Sequence, residues 1–262
     1  MQDQLIFLGT GTSQGVPIIG CNCEVCSSKD PHDHRLRTSA LLQYKDKNIL
    51  FDTSADFRGQ LLSEGITNID YVLFTHEHRD HTAGLDELRP ITWKREDSLP
   101  IYAEQRVLTY LHAAFPHIMG GKPKYPGGAK LREVAVDKTP FALNDEIQVI
   151  PIRMTHFQGL PILGFRIDKV AYLTDCKTID NENLNKLKDL DVLVINALGK
   201  KEHPSHLSLS DALEIIDYLK PKQAYLTHIG HAMGYHKDVQ KELPENVYLA
   251  YDGLKVSLVA VK

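Results

Sequence analysis

Between residues 76 and 81 the chain reads HEHRDH, and four of those six side chains can bind a metal ion: His76, His78, Asp80 and His81. The apolar run YVLF stands directly before them and reads as a strand that delivers the four groups at its carboxyl end. Two histidines spaced two apart on extended backbone point the same way, and the chain then turns at Asp80. Imidazole suits zinc, iron and manganese, while a carboxylate favours harder ions and can bridge two of them. In a chain of this composition the pattern would arise by chance about three times in a thousand. A histidine-rich surface turn is therefore the weaker reading.

Three later apolar runs also end on one such residue: His156 after IQVIPIRMT, Asp175 after VAYLT and His228 after QAYLT. Strand carboxyl ends are where an α/β scaffold presents its chemistry. Alone, each would be a structural residue; beside HEHRDH they read as partners.

The elements that must position these groups follow from the same pattern. QLIFLGT, SALLQYK, NILFDTS, GFRIDK, DVLVINA, VYLAYDG and LKVSLVAV read as further short strands. ADFRGQLLSEG reads as a helix ended by Gly65, and HTAGLDEL as the start of another. LSLSDALEIIDYLK has Ser208 as N-cap, Asp211 in the capping-box position and Pro221 as its stop. Strands and helices interleave with hairpin-like connections, so the expected class is α/β (α+β), a single domain over residues 1–262. Residues 91–130 are rich in Pro, Gly and Lys and read as a partly helical insertion or lid. Lys122 and Lys124 within it read first as a solvated pair and second as contacts to a substrate phosphate.

The formal net charge of −4 and pI near 6.3 speak against a basic nucleic-acid-binding surface. No apolar run approaches the roughly 18 residues of a membrane span. The start MQDQLIFLGTGT lacks the pattern of a signal peptide. Of the four cysteines three fall in GCNCEVC, as Cys21, Cys23 and Cys26, which points to metal binding in a reducing compartment rather than to a disulfide scaffold. The expected location is the cytoplasm. Three close thiolates favour one tetrahedral zinc, and His231, three residues beyond His228, is the natural fourth ligand. Free or redox-active thiols are the rival reading. Cys176 reads as a small core residue. The glycines of GTGTSQG (Gly9, Gly11 and Gly15) are spaced wrongly for a dinucleotide loop and precede Val16-Pro17, so they read as a tight loop near the metals.

The ordered set of HEHRDH, a single His, a strand-ending Asp and a strand-ending His resembles the metallo-β-lactamase superfamily over nearly the whole chain. The resemblance implies a four-layer αββα sandwich with a two-metal centre. His76, His78 and His156 would hold one divalent metal, and Asp80, His81 and His228 the other, with Asp175 bridging. Asp52 matches a position that orients the histidine loop from behind, or is a turn aspartate closing its strand. His206 in EHPSHLSLSDAL looks like an extra histidine of phosphodiesterase branches, which stabilises the phosphate or protonates the leaving oxygen; His203 competes for that role. Together with GTGTSQGVPIIGCNCEVC and LTHIGH, these motifs resemble the phosphoribosyl 1,2-cyclic phosphate phosphodiesterase group. That implies hydrolysis of a cyclic phosphodiester by a hydroxide activated between two metals (manganese, zinc or iron), with Asp80, Asp175 and His206 in catalytic roles. It also implies a small phosphorylated substrate and a homodimer, while the zinc read from the cysteine spacing would be structural, tying the N-terminal loop to the wall that carries His228. The rivals are a ribonuclease Z-like endonuclease, a thioester or lactone hydrolase of the same fold, and a metal-holding scaffold without turnover.

Overall fold

In the computed structural model, which describes residues 2–120 and 127–258, the apolar runs become short strands. They are β1 (Gln4–Gly9), β2 (Ser39–Tyr44), β3 (Lys47–Phe51), β4 (Tyr71–Leu73), β5 (Leu99–Ala103), β6 (Leu131–Ala135) and β7 (Phe141–Ala142). There follow β8 (Gln148–Thr155), β9 (Pro161–Ile167), β10 (Val170–Leu173), β11 (Val192–Asn196), β12 (Gln223–Thr227), β13 (Val247–Leu249) and β14 (Lys255–Ser257). Helices α1 (Phe57–Ser63), α2 (Arg79–Thr82), α3 (Arg89–Trp93), α4 (Gln105–Ala114), α5 (Asn181–Asn185), α6 (Leu209–Leu219) and α7 (His236–Glu242) lie between them. The chain divides into two compact units: Met1–Gly9 with Ser39–Asp137 and Gly253–Lys262, and Thr10–Thr38 with Lys138–Asp252.

The first unit is a mixed sheet of order β14-β1-β2-β3-β4-β5-β6, antiparallel from β14 to β3 and parallel from β3 to β6. Leu41, Leu50, Val72 and Ile101 of the sheet share a buried cluster with Phe57 and Leu61 of α1 and Val107, Leu108 and Leu111 of α4. Each such side chain contributes about 1.5–3 kcal/mol by leaving water. Helix α1 ends as expected, with Gly65 at φ 64 and the Ile66 amide bonded to the Leu61 carbonyl, a left-handed stop that glycine reaches without steric cost.

The second unit is a sheet of order β13-β12-β11-β10-β9-β8-β7, parallel from β13 to β10 and antiparallel from β10 to β7. Ile152, Leu173, Leu193, Ile195 and Leu226 cluster with Ala212, Ile216 and Leu219 of α6. The capping box of that helix is formed, Ser208 bonding the Asp211 amide and Asp211 the Ser208 amide. Strand β8 is antiparallel to β9, which is antiparallel to β10, so β8 runs in the direction of β10, β11 and β12. All four therefore end at one edge of their sheet.

Two expectations are corrected. The helix read from HTAGLDEL is broken after α2, and a 3-10 turn at Leu85–Leu88 leads into α3. The break is at Gly84, where a Cβ would stand 2.3 Å from the Ser54 carbonyl oxygen, a close approach open only to glycine. Within residues 91–130, Leu99–Ala103 is not inserted but is strand β5, wholly buried and paired in parallel to β4 and β6, and Gln105–Ala114 is α4. Pro100 lies inside that strand and charged residues, Lys94 to Asp97 before it and Glu104 and Arg106 after it, flank it and mask its short apolar core. Lys122 and Lys124 lie outside the described residues.

Candidate metal centre

In the first unit Phe51 and Leu73 pair in parallel, so the residues just beyond them meet. Asp52 Oδ1 accepts from the Thr75 amide at 2.8 Å, and its Oδ2 accepts from the Thr75 hydroxyl at 2.8 Å and from His81 Nδ1 at 2.8 Å. Burial pushes the Asp52 carboxyl pKa up, while His81 and the Thr75 donors oppose that shift. The Thr75 hydroxyl is committed to Asp52, so at 2.9 Å from His76 Nδ1 it must accept. Both rings thus carry their proton on Nδ1 and present the Nε2 lone pair, a tautomer assigned from this network.

The ring centres of His78 and His81 lie 4.6 and 4.3 Å from that of His76. His81 Nε2 and Asp80 Oδ2 stand 3.2 Å apart. Two acceptors facing each other at that distance suit a cation, because two ligand atoms about 2.1 Å from one ion lie about 3.0–3.4 Å apart at octahedral or tetrahedral angles.

In the second unit the ends of β8, β10 and β12 present His156, Asp175 and His228. His156 Nδ1 donates to the Ser205 carbonyl at 2.7 Å, leaving its Nε2 lone pair 4.0 Å from Asp175 Oδ2. Asp175 Oδ1 lies 3.2 Å from His228 Nδ1 and accepts from the Thr174 hydroxyl at 2.6 Å. Its two oxygens thus face two different histidines. Asp52, Asp175 and His228 all have left-handed backbone, at φ 61, 59 and 53, each costing roughly 1–3 kcal/mol that the surrounding structure must offset. Residues held this way cluster at functional sites.

His206 is buried with its Nδ1 3.8 Å from Asp175 Oδ2. Its ring stacks on His228 at 4.7 Å and lies 4.7 Å from that of His156. Burial first, then His228, push its pKa down to about 3, so the ring is neutral near pH 7. His203 is one ring further out, 5.4 Å from His206, and accepts from the Ser205 amide. Between the two, His206 is the one that borders Asp175.

The cysteine loop closes on His231 as its spacing suggests. Sγ of Cys21, of Cys23 and of Cys26 each lie 3.4 Å from His231 Nδ1. A tetrahedral zinc with Zn–S near 2.3 Å and Zn–N near 2.0–2.1 Å separates sulfur from nitrogen by about 3.5 Å, so the donor set fits that ion. Amides from Ile18 and Cys26 reach the sulfurs of Cys26 and Cys23. The Cys26 amide is the largest cause lowering the Cys23 thiol to about 7. Burial raises Cys26 to about 11 and lifts the fully buried Cys176 well above the usual thiol range.

Residues 47–229 match the model of the β-lactamase superfamily domain. This chain belongs to the β-lactamase superfamily. A superfamily relative of known structure, described as a new diphosphatase from the PhnP family, is 38% identical, with a TM-score of 0.90 over 98% of this chain and 99% of that one. The fold is thus metallo-β-lactamase-like and α/β, and membership of the superfamily implies divalent metal ions. The zinc-bound PqqB of Methylobacterium extorquens, 17% identical with a TM-score of 0.75 over 97% of this chain and all of that one, shares the fold. An octanoyltransferase of Porphyromonas gingivalis is 44% identical over 254 residues, 95% of this chain and 50% of that protein. The chain therefore spans about half the length of that relative.

Several residues that shape this superfamily site carry no signal of their own in the sequence. Thr75, which sets the His76 tautomer, follows an apolar run as many threonines do. Thr12, whose hydroxyl lies 3.4 Å from His228 Nε2, is separated from it by 216 residues. The Gly11 loop is held there by main-chain pairing, Ile229 N–H to the Thr10 carbonyl and Thr12 N–H to the Ile229 carbonyl. Gly11 is needed because a Cβ would lie 2.8 Å from the Arg35 carbonyl oxygen.

Proposed function

We propose that the protein is a metal-dependent phosphodiesterase that opens a cyclic phosphodiester such as 5-phosphoribosyl 1,2-cyclic phosphate. The observation that carries this reading is Asp175, whose two oxygens face His228 and His156 while the neutral His206 borders the same carboxylate. His76, His78 and His156 would hold one divalent ion and Asp80, His81 and His228 the second, with Asp175 available to both. Manganese, zinc or iron suits these donors. Such ions supply Lewis acidity, lowering the pKa of water and offsetting charge on the phosphoryl oxygens.

The chain's own residues do the rest. Asp52 and Thr75 keep the lone pairs of His76 and His81 turned away from their own hydrogen bonds, and Ser205 does so for His156. Water oxygen bonds to phosphorus, the ring ester P–O bond breaks, and a proton lost by the attacking water ends on the departing sugar oxygen, which leaves as a hydroxyl. A neutral His206 serves that oxygen as an N–H hydrogen-bond donor. A reservoir of imidazolium at neutral pH is not what its burial favours.

Cys21, Cys23, Cys26 and His231 are assigned one structural zinc. A homodimer and a cytoplasmic location are part of the same proposal. The relative described as a diphosphatase supports a second reading, cleavage of a phosphoanhydride by the same attack on phosphorus. Octanoyl transfer has no such support: the chain spans half of the protein that bears the name, and Cys176, the thiol beside Asp175, is wholly buried and held protonated. Turnover of 5-phosphoribosyl 1,2-cyclic phosphate by the manganese-loaded protein tests the proposal. Cleavage of nucleoside diphosphates instead would favour the second reading. Inactivity on both, with two metals bound, would return attention to thioesters, lactones and RNA.

A further inference from the structure

Asn196 ends β11 fully buried, where the strand pattern calls for another apolar residue. Its side-chain amide is spent on a single residue: Oδ1 accepts from the Cys176 amide at 2.7 Å, and Nδ2 donates to the Cys176 carbonyl at 3.0 Å. The donor and acceptor pattern fixes which way the amide points. The regular ladder between β10 and β11 stops at Leu173 and Ile195. Two residues later Asp175 turns left-handed at φ 59, which takes the chain off the strand path. Asn196 thus bonds to the chain where main-chain pairing has ended, holding the peptide that follows Asp175.

The grip extends to two more members of the centre. The Cys176 carbonyl also accepts from the Leu207 amide at 2.9 Å, one residue after His206. On the other side Asn196 is level with Thr227 in the ladder to β12, one residue before His228. Asp175, His206 and His228 are therefore each one residue from a position that Asn196 touches or ties.

We infer that Asn196 is a positioning residue for the hydrolytic centre, its buried amide clamping the Cys176 peptide and thereby setting Asp175 and His206. This rests on the hydrolytic reading given above. It adds that the centre depends on a residue without a ligand atom in it, since outer partners of metal ligands hold them in place. Asparagine is required because the clamp needs one acceptor and one donor a fixed distance apart.

The test is Asn196→Asp, which keeps size and acceptor but faces the Cys176 carbonyl with a carboxylate, together with Asn196→Ser, which keeps one small hydroxyl. Both are compared with wild type for kcat and KM on an aryl phosphodiester, for manganese binding by calorimetry, and for melting temperature. The expected result is a fall in kcat or manganese affinity of about 10- to 100-fold, with KM within about threefold and the zinc content of the cysteine loop unchanged. If either variant melts near wild type with unchanged kcat and manganese affinity, the inference fails. It fails equally if both variants only lower the melting temperature, or do not fold, since Asn196 would then be a residue of stability alone. Should wild type cleave no phosphodiester, the manganese titration still reads the clamp, so the two failures are distinguishable.

Discussion

Asp52 Oδ2 stands 2.8 Å from Nδ1 of His81, 29 residues further along the chain, and neither side chain reaches solvent. The carboxylate is the hub of a network that also spends the Thr75 hydroxyl and, through it, orients His76. One residue that binds no metal thus decides which nitrogen two histidines present.

Asp52→Asn tests that hub. The amide must turn its NH2 toward a partner that already donates, either the Thr75 amide or His81 Nδ1. We expect manganese or zinc affinity to fall about 10- to 100-fold with a matching loss of kcat. Titration calorimetry checks the first and initial rates the second; unchanged affinity would remove Asp52 from the site.

His206→Ala should act according to the leaving group. With a sugar alkoxide leaving, kcat is expected to fall about 10²- to 10³-fold, the cost of losing one hydrogen-bond donor to the developing charge. With p-nitrophenolate, which needs no donor, the loss should be under about tenfold. Equal losses on both substrates would assign His206 to binding or structure.

Cys26→Ser should release the cysteine-loop zinc and loosen its tie to His231. We expect a destabilisation of about 2–3 kcal/mol, or roughly 5–10 °C in melting temperature. Metal analysis should show one zinc fewer per chain, and calorimetry the lower transition. An unchanged zinc count would leave the cysteines as ordinary thiols.

His236 supplies a pH dependence outside the ligand set. Burial first, then Arg35, lower its pKa to about 4, and its Nδ1 accepts from the Arg35 guanidinium at 3.2 Å, which a proton there would abolish. The folded pKa lies below the unfolded value near 6.5, so this contribution is complete above pH 6.5 and declines as pH falls toward 4. Discounted for its partial exposure, it is worth about 1–2 kcal/mol. By urea unfolding, the free energy of unfolding of wild type should fall between pH 7 and pH 4.5 by that amount more than that of His236→Gln. Parallel profiles would show that His236 is unperturbed.

Legibility in the sequence followed distance along the chain. HEHRDH was legible because its donors are consecutive and their spacing on extended backbone decides their direction. The capping box at Ser208 and the glycine stop at Gly65 were legible for the same local reason. Strand β5 was not, since a central strand buried on both faces has no alternation to reveal it, and LPIYA carries a proline within it and charged residues on both sides. Asn196 and Thr75 were missed because a polar residue at a strand end has many uses, and only its partner shows which.

By itself the sequence determined the kinds of donor, the strand ends that carry them and the superfamily, because residue type and short spacing are local properties. The tertiary structure alone decided that Asp52 faces His81, that His206 rather than His203 borders Asp175, and that the CxCxxC loop meets His231. Those pairs are separated by 29, 31 and more than 200 residues. Such contacts depend on sheet register and on where buried hydrogen bonds are satisfied, which no local pattern encodes.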